Sequence, residues 1–339
     1  MKNQRPTIDD VARKAGVSIA TVSRVLNQTA PVAKKTAERV FAAIQALNYQ
    51  PQAAARTLAG SKTHTIGLLL PEIGGYFFFP MLSGIETGAH ENGYNLLIHS
   101  ALNPPDTNRG MMPLSLGEHN TDGLIVFTHS LNDWELKRLH DLGLPIVLLH
   151  QSPPDGLPIP NITFQNKLGA RKIVEHLITE HGYRKIIYLA GPEAHEDSYW
   201  REMGYIEALH ANGIDYDPLY VSQGDFNPDR AKQAIEEFLS QGIDFDAIFA
   251  ADDESASGAM MALREAGLRV PEDVAVVGFD DTLLASHLTP PLTTVHAPIE
   301  QLGRQAVDQL LRLMGGEEVV AVTLLPTELV IRKSCGCNG

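Results

Sequence analysis

Residues 7–27 read Thr7-Ile8-Asp9-Asp10-Val11-Ala12-Arg13-Lys14-Ala15-Gly16-Val17-Ser18-Ile19-Ala20-Thr21-Val22-Ser23-Arg24-Val25-Leu26-Asn27. Two helix starts and a stop are written into this stretch. Thr7 can cap a helix that runs through about Ala15, and Gly16 ends it. Ser18 can cap a second, reaching Leu26 or Asn27. Two short helices joined by Gly16-Val17 make a helix-turn-helix. At about 100° per residue, Ile19, Ala20, Ser23, Arg24 and Asn27 share one arc of about 140° on the second helix. Val22, Val25 and Leu26 fall opposite and can bury. A small, polar arc with one arginine lets a helix lie deep in a DNA major groove, where Arg24 can pair with guanine through two hydrogen bonds. The plain alternative is an ordinary three-helix bundle.

Working outward, a third helix is expected from about Ala33 to Leu47, with Val40, Ile44 and Leu47 on one face. Pro51 then opens an alanine-rich segment, Gln52 to Ala59, stopped by Gly60. About eight residues are too few for a stable isolated helix, so this segment would form only against something else. Leu58 is its largest apolar residue and has no local core. It reads either as a wedge between base steps in the minor groove or as part of a linker.

Charge separates head from body. Residues 1–62 hold ten lysines and arginines against three acids, a net of +7; the whole chain is −14, so the remainder carries −21. A basic head on an acidic body is the asymmetry expected when only the head meets phosphate. Asp9, Asp10, Arg13 and Lys14 interrupt any apolar run of an export signal, and no stretch approaches the roughly 18 apolar residues of a membrane span. The two cysteines, Cys335 and Cys337, exclude a disulfide framework. A cytoplasmic protein without a membrane partner is expected.

From Thr65 onward, short apolar runs alternate with helical patterns. Candidate strands are Ile66–Leu70, Leu96–His99, Gly123–Phe127, Pro145–Leu149, Ile186–Leu189, Ala247–Ala250 and Val274–Val277. Candidate helices are Met81–Glu91, Leu168–His181, Arg201–Ala211, Pro228–Gln241 and Glu254–Ala266. This alternation predicts parallel sheets covered on both faces by helices, in two similar lobes. The segment from Thr293 to Gly339 is too short for a further domain and is expected to cross back and complete both lobes.

The runs Thr7–Ala12, Ala15–Ser18, Thr21–Asn27, Leu47-Asn48-Tyr49-Gln50-Pro51 and Leu58-Ala59-Gly60 together resemble the head of the LacI/GalR family of transcription regulators, and the resemblance extends over nearly the whole chain. It implies a small all-α helix-turn-helix head and an α/β core of two doubly wound parallel-sheet lobes, like a periplasmic binding protein. The implied domains are 1–50 for the head, 51–61 for a hinge helix, and 62–339 for the core. Its N-lobe takes about 62–163 and 293–325; its C-lobe takes about 164–292 and 326–339. The implied DNA-contacting residues are Thr7, Ser18, Ile19, Ala20, Thr21, Ser23, Arg24, Asn27 and Leu58. Ile19 and Ala20 occupy the positions that vary with operator sequence, and their apolar character resembles the GalR-like branch.

In parallel α/β lobes, ligands lie beyond the carboxyl ends of strands. Asp252 and Asp253 follow one candidate strand, and Asp280 and Asp281 another. Arg201 opens a helix after a third, and Phe226 lies in a loop before the Pro228 helix. Carboxylates and a guanidinium suit hydroxyl groups, and an aromatic face suits a sugar ring. By resemblance, Arg201 with Gly204-Tyr205 is the effector clamp, Asp252 and Asp280 bind effector hydroxyls, Phe226 stacks, and Tyr76 and Phe78 close the cleft from the other lobe. Where the family often has an Asp-Asn pair, this chain has Gln165-Asn166, which weakens Gln165 as a contact. Asp253 and Asp281 read as helix caps. Arg201 could instead form a surface ion pair, and Tyr76 to Phe79 could be core or dimer surface.

The thirteen histidines show no metal-ligand spacing, and Cys335 with Cys337 offers too few ligands for zinc. They read as a frayed thiol tail, and neither metal nor cofactor is expected. The carboxylate pairs lack a nucleophile–base constellation, so an enzyme is disfavoured. The expectation is a homodimeric repressor acting on a double-stranded, pseudo-palindromic operator under control of a small effector, a sugar by preference. No heptad extension follows Arg332, which favours a dimer over a coiled-coil tetramer. A purine- or nucleoside-responsive repressor is the alternative, and a sugar-binding protein without a regulatory role ranks below it.

Overall fold

The computed structural model describes residues 6–27, 30–49, 62–100, 116–154 and 156–337. The proposed hinge at 51–61, Leu58 included, and the Asn27 side chain lie outside them. The chain forms two units, Met1–Thr63 and His64–Gly339.

The first unit packs α1 (Ile8–Ala15), α2 (Ile19–Asn27) and α3 (Lys34–Leu47) around Val11, Ala12, Val22, Val25 and Val40. Thr7 and Asp10 cap α1 reciprocally, and Gly16 ends it in the left-handed conformation. Ser18 Oγ accepts from Thr21 N–H at 3.2 Å and so opens α2.

In the second unit, β1 (Thr65–Leu70), β2 (Asn95–Ser100), β3 (Gly123–Phe127), β4 (Ile146–Leu149), β5 (Asn161–Phe164) and β11 (Val322–Leu325) form one sheet in the order β11-β5-β4-β3-β1-β2, every pair parallel. The period of two places Ile66, Leu68, Leu70, Ile125 and Val147 against Met81 and Ile85 of α4 (Gly75–Glu91) and Leu302 and Val307 of α11 (Ile299–Met314). Leu69, Leu124, Val126 and Leu148 point the other way, onto Leu136 and Leu139 of α5 (Asp133–Asp141). Both faces are covered, as a parallel sheet requires.

The second lobe repeats the plan. The parallel sheet β7-β6-β8-β9 comprises β6 (Ile186–Ala190), β7 (Val221–Gln223), β8 (Ala247–Ala250) and β9 (Ala275–Val277). One face meets α6 (Asn166–His181) and α7 (Glu196–Ala211); the other meets α8 (Pro228–Ser240) and α9 (Asp253–Glu265). A short α10 (Leu283–His287) follows β9.

The C-terminal part passes between the lobes. Strand β10 (Thr294–His296) pairs antiparallel with β12 (Glu328–Val330), while α11 and β11 between them belong to the first lobe. Up to Cys337, the last described residue, the tail is not frayed. Val276 N–H donates to Ser334 O at 2.9 Å, and Cys335 is fully buried.

Two helix starts differ from expectation by more than two residues. α4 begins at Gly75, six residues before Met81, and tolerates Pro80 inside it. α7 begins at Glu196, so Arg201 sits in its second turn and does not open it.

Candidate functional site

Arg201 organises a buried polar network where the lobes meet. Gly204, one turn on, has no side chain, and a Cβ there would overlap the Lys167 carbonyl and Ala170. α7 can therefore press against α6 and bring Arg201 to its partners. The guanidinium donates from Nε to Asn166 Oδ1 at 2.9 Å, from Nη1 to Ala251 O at 2.5 Å, and from Nη2 to Asp280 Oδ1 at 3.0 Å. Its carbon lies 3.8 Å from the Phe279 ring centre and 5.7 Å from that of Phe226. It is 2% exposed, which excludes the surface ion pair.

The network continues through Asn166, whose Nδ2 donates to Asp197 Oδ1 at 2.8 Å. Asp197 also accepts from Thr163 Oγ1 at 2.8 Å and faces His150 Nδ1 at 2.6 Å. Burial opposes ionisation of Asp197, but His150, Arg201 and the Thr163 hydroxyl outweigh it and hold the carboxyl at about 2. Asp280 sits beside this group with φ 103°, and Asp225 and Phe226 are both at φ 54°. Backbone in this region is costly for a bulky residue such as Phe226, and such positions gather at binding sites.

The helix cap expected at Asp253 falls instead to Asp252. Asp252 caps α9, accepting from Ser255 N–H at 3.0 Å. Asp253 is the buried strut. It accepts from Thr282 N–H at 2.7 Å, from the Thr282 hydroxyl at 3.0 Å and from the Thr294 hydroxyl at 2.6 Å. Burial, then the nearby Asp280, push Asp252 up to about 7; the same causes raise Asp253 well above the usual carboxylate range. Burial also raises Asp280, against the pull of Arg201. Asp281 caps no helix; it pairs with Arg332 at 2.6 Å and His296 at 3.0 Å.

From the first lobe, Tyr76 N–H donates to Glu254 Oε1 of α9 at 2.9 Å, and its side chain is exposed. Phe78 turns inward against Phe127, with ring centres 5.3 Å apart. Its neighbour Phe77 meets His150 at 5.5 Å, alongside Phe127 and Phe164, each at 5.1 Å. Gln165 stands at the N-terminal cap position of α6 without a side-chain cap bond.

Beside this network a cleft of about 970 Å³ opens between the lobes, lined by His129, Trp134, Gln151 and Ser152 on one side and by Pro192, His195 and Glu196 on the other. His195 connects the two regions, 5.8 Å from the Phe226 ring and 4.7 Å from that of His129. Burial, reinforced by His129, pulls His195 down to about 4, so its imidazole is neutral near pH 7 and offers one donor and one acceptor. Among the described residues, polar contacts that cross the cleft include His150 to Asp197, Thr163 to Asp197 (2.8 Å), Ser152 to Glu196 (2.7 and 2.9 Å), His129 Nε2 to Ala194 O (3.0 Å), and Tyr76 to Glu254. Sequence reasoning brought Arg201, Phe226, Asp252 and Asp280 to one place and missed Asn166, Asp197, His150 and Trp134. Position after a strand could have flagged His150, which directly follows β4.

In the head, the outward arc of α2 exposes Ile19, Ala20 and Arg24 and leaves Ser23 half-buried. The Thr7 hydroxyl donates to Asp10 at 2.8 Å, and the Ser18 and Thr21 hydroxyls pair at 2.9 Å. These three fix helix starts. Among the described residues no helix is long and apolar enough to cross a membrane.

Comparison with known proteins gives two family matches, "Bacterial regulatory proteins, lacI family" over residues 7–52 and "Periplasmic binding protein-like domain" over residues 174–335. The chain is 37% identical to the HTH-type transcriptional regulator CelR of Thermobifida fusca over 342 residues, 98% of this chain and 99% of that one. It is 33% identical to the HTH-type transcriptional repressor PurR of Serratia proteamaculans (strain 568), covering 97% and 96%. Among solved structures, the lac repressor dimer bound to operator and the anti-inducer ONPF matches with a TM-score of 0.82 at 33% identity, covering 98% and 99%. A transcriptional regulator CelR–cellobiose complex matches with a TM-score of 0.70 at 33% identity, covering 97% and 100%.

Proposed function

This chain belongs to the LacI family of bacterial regulators, and we propose that it is a repressor whose hold on a pseudo-palindromic operator is set by a sugar bound between the lobes of its core. It is a DNA-binding transcription regulator. On this reading α2 enters the major groove, Ile19, Ala20, Ser23 and Arg24 meet base edges, and Asn27 stands with them. Thr7, Ser18 and Thr21 set the helix starts that face the phosphates. Residues 51–61 serve as the hinge, with Leu58 in the minor groove; the resemblance supports this part. A cytoplasmic location follows from action on DNA.

The observation that carries the sugar reading is the buried Arg201–Asp280 pair beside Phe226, joined through His195 to a cleft lined by Trp134, Gln151 and His129. One donor fork, carboxylates, the neutral imidazole of His195 and separate aromatic plates suit a neutral polyhydroxy ring. The CelR–cellobiose structure supports the same ligand class. Arg201, Asp252, Asp280 and Phe226 are the proposed effector residues, with Tyr76 and Phe78 shaping the opposite wall through Glu254 and Phe127. The carboxylates are engaged by Arg201 and by the α9 cap, which supports a binding role and no catalytic one.

We read the active form as a homodimer. Phe79, Leu97 and Ile98 of the first lobe and Leu283 of the second are exposed apolar side chains suited to a partner, and the lac repressor comparison is itself a dimer. A sugar that adds its own contacts to those across the cleft would shift one lobe against the other and change the spacing of paired heads.

Titration calorimetry with mono- and disaccharides tests the site. Asp280→Asn keeps size and loses charge, so affinity should fall about ten- to a hundred-fold, as expected for a charge-assisted hydrogen bond. Operator binding without sugar should persist. Equal affinity in wild type and variant would remove Asp280 from the site.

A further inference from the structure

The C-terminal thiols meet two histidines of α6. Ser334 is fixed to β9, accepting from Thr293 N–H at 2.8 Å through its hydroxyl and donating to Val276 O at 2.5 Å. Gly336 follows with φ 105°, turning Cys335 and Cys337 toward the end of α6. A side chain at Gly336 would be strained at that angle and would press on the His181 ring and the Tyr183 hydroxyl. One ligand atom from each of His176, His181, Cys335 and Cys337 lies within 4.8 Å of the other three.

The separations fit a metal. Cys337 Sγ is 3.4 Å from His181 Nε2 and 3.7 Å from His176 Nε2. A tetrahedral zinc ion about 2.3 Å from sulfur and about 2.0–2.1 Å from nitrogen places S and N about 3.6 Å apart, between these two separations. Supporting groups are also present. Tyr183 stacks on His181 with ring centres 5.5 Å apart, and its hydroxyl donates to Cys335 O at 3.4 Å. The Thr293 hydroxyl donates to Cys335 Sγ at 3.1 Å. Such outer contacts orient ligands and favour thiolate. Cys335 is buried while the other three are partly exposed, which leaves a path for an ion.

We propose that Cys335, Cys337, His176 and His181 form a tetrahedral zinc site that clasps the C-terminal segment to α6. Two thiolates and two imidazoles are a donor set that selects zinc, and four protein ligands make the site structural. Each thiol releases its proton on binding, so the two thiolates balance the charge of the ion. α6 begins at Asn166, which holds Arg201 and Asp197. The clasp therefore fixes the far end of a helix whose near end belongs to the polar network between the lobes.

The test uses full-length protein kept reduced, stripped with a chelator, dialysed, and titrated with zinc or cobalt(II). The expected result is one zinc retained per chain and a cobalt spectrum of tetrahedral intensity with a thiolate charge-transfer band. Cys337→Ser and His176→Gln, both at partly exposed positions, should lose the retained zinc and weaken that band while keeping the wild-type circular dichroism. If a variant misfolds, the wild-type cobalt spectrum still decides. An octahedral spectrum without the charge-transfer band overturns the site, and so does retention below about a tenth of an equivalent. A Cys335–Cys337 disulfide that, once reduced, still takes up no zinc would also overturn it.

Discussion

His150 Nδ1, at the end of β4 in one lobe, stands 2.6 Å from Asp197 Oδ2 on α7 of the other. This contact crosses the cleft and continues through Asn166 to Arg201, so the position of one lobe is reported at the arginine that pairs with Asp280.

Asp197→Asn should therefore loosen the cleft and lower effector affinity by about tenfold or more, since a hydrogen bond to a charged group is worth about 1.5–3 kcal/mol. The Asp197 carboxyl is depressed to about 2. Its contribution is present above the ordinary aspartate value of about 4 and is lost as pH falls from there through about 2. Acid unfolding followed by circular dichroism checks this: the variant should lose less stability over that range than wild type. Superimposable acid limbs would show that the His150–Asp197 contact adds nothing.

Asp252 gives the opposite sign. Its folded-state value is raised to about 7, so the folded chain binds the extra proton and stability declines as pH climbs from about 4 to about 7. Asp252→Asn retains a good capping residue. Urea midpoints measured between pH 5 and 8 should fall less steeply for the variant than for wild type. A residual slope is expected from Asp253 and Asp280, which are raised as well. Parallel profiles would mean that Asp252 titrates normally.

Arg24→Ala should weaken specific operator binding by about 1–3 kcal/mol while sparing non-specific DNA binding, because Arg24 is exposed on the arc of α2 that holds Ala20. Gel-shift titrations on operator and on random duplex distinguish the cases. Equal losses on both would assign Arg24 to phosphate.

Legibility followed locality. The head was readable because its caps, Thr7, Gly16 and Ser18, act within four residues of themselves. Strands β1, β3 and β8 were readable as unbroken apolar runs. β5 was missed because Asn161 and Thr163 dilute its apolar signal, and α5 because only Leu136 and Leu139 bury. The first turns of α4 were hidden by Gly74, Gly75 and Pro80, residues that normally break helices. Arg201, Asp252 and Asp280 were visible as polar groups following strands. The Asp197–His150 contact joins residues 47 apart, and Cys337 meets His176 across 161. Such meetings belong to the folded chain and leave no mark on sequence spacing.

The most direct test of the regulatory account is operator anisotropy under effector titration. A labelled pseudo-palindromic operator, selected from a randomised DNA pool, is titrated with the protein in the presence of mono- and disaccharides and, separately, purines. The account predicts that at least one sugar shifts operator affinity by about five- to 150-fold, the usual range of allosteric coupling. Asp280→Asn should raise the sugar concentration required and leave sugar-free operator binding unchanged. A shift produced by a purine and by no sugar would contradict the account.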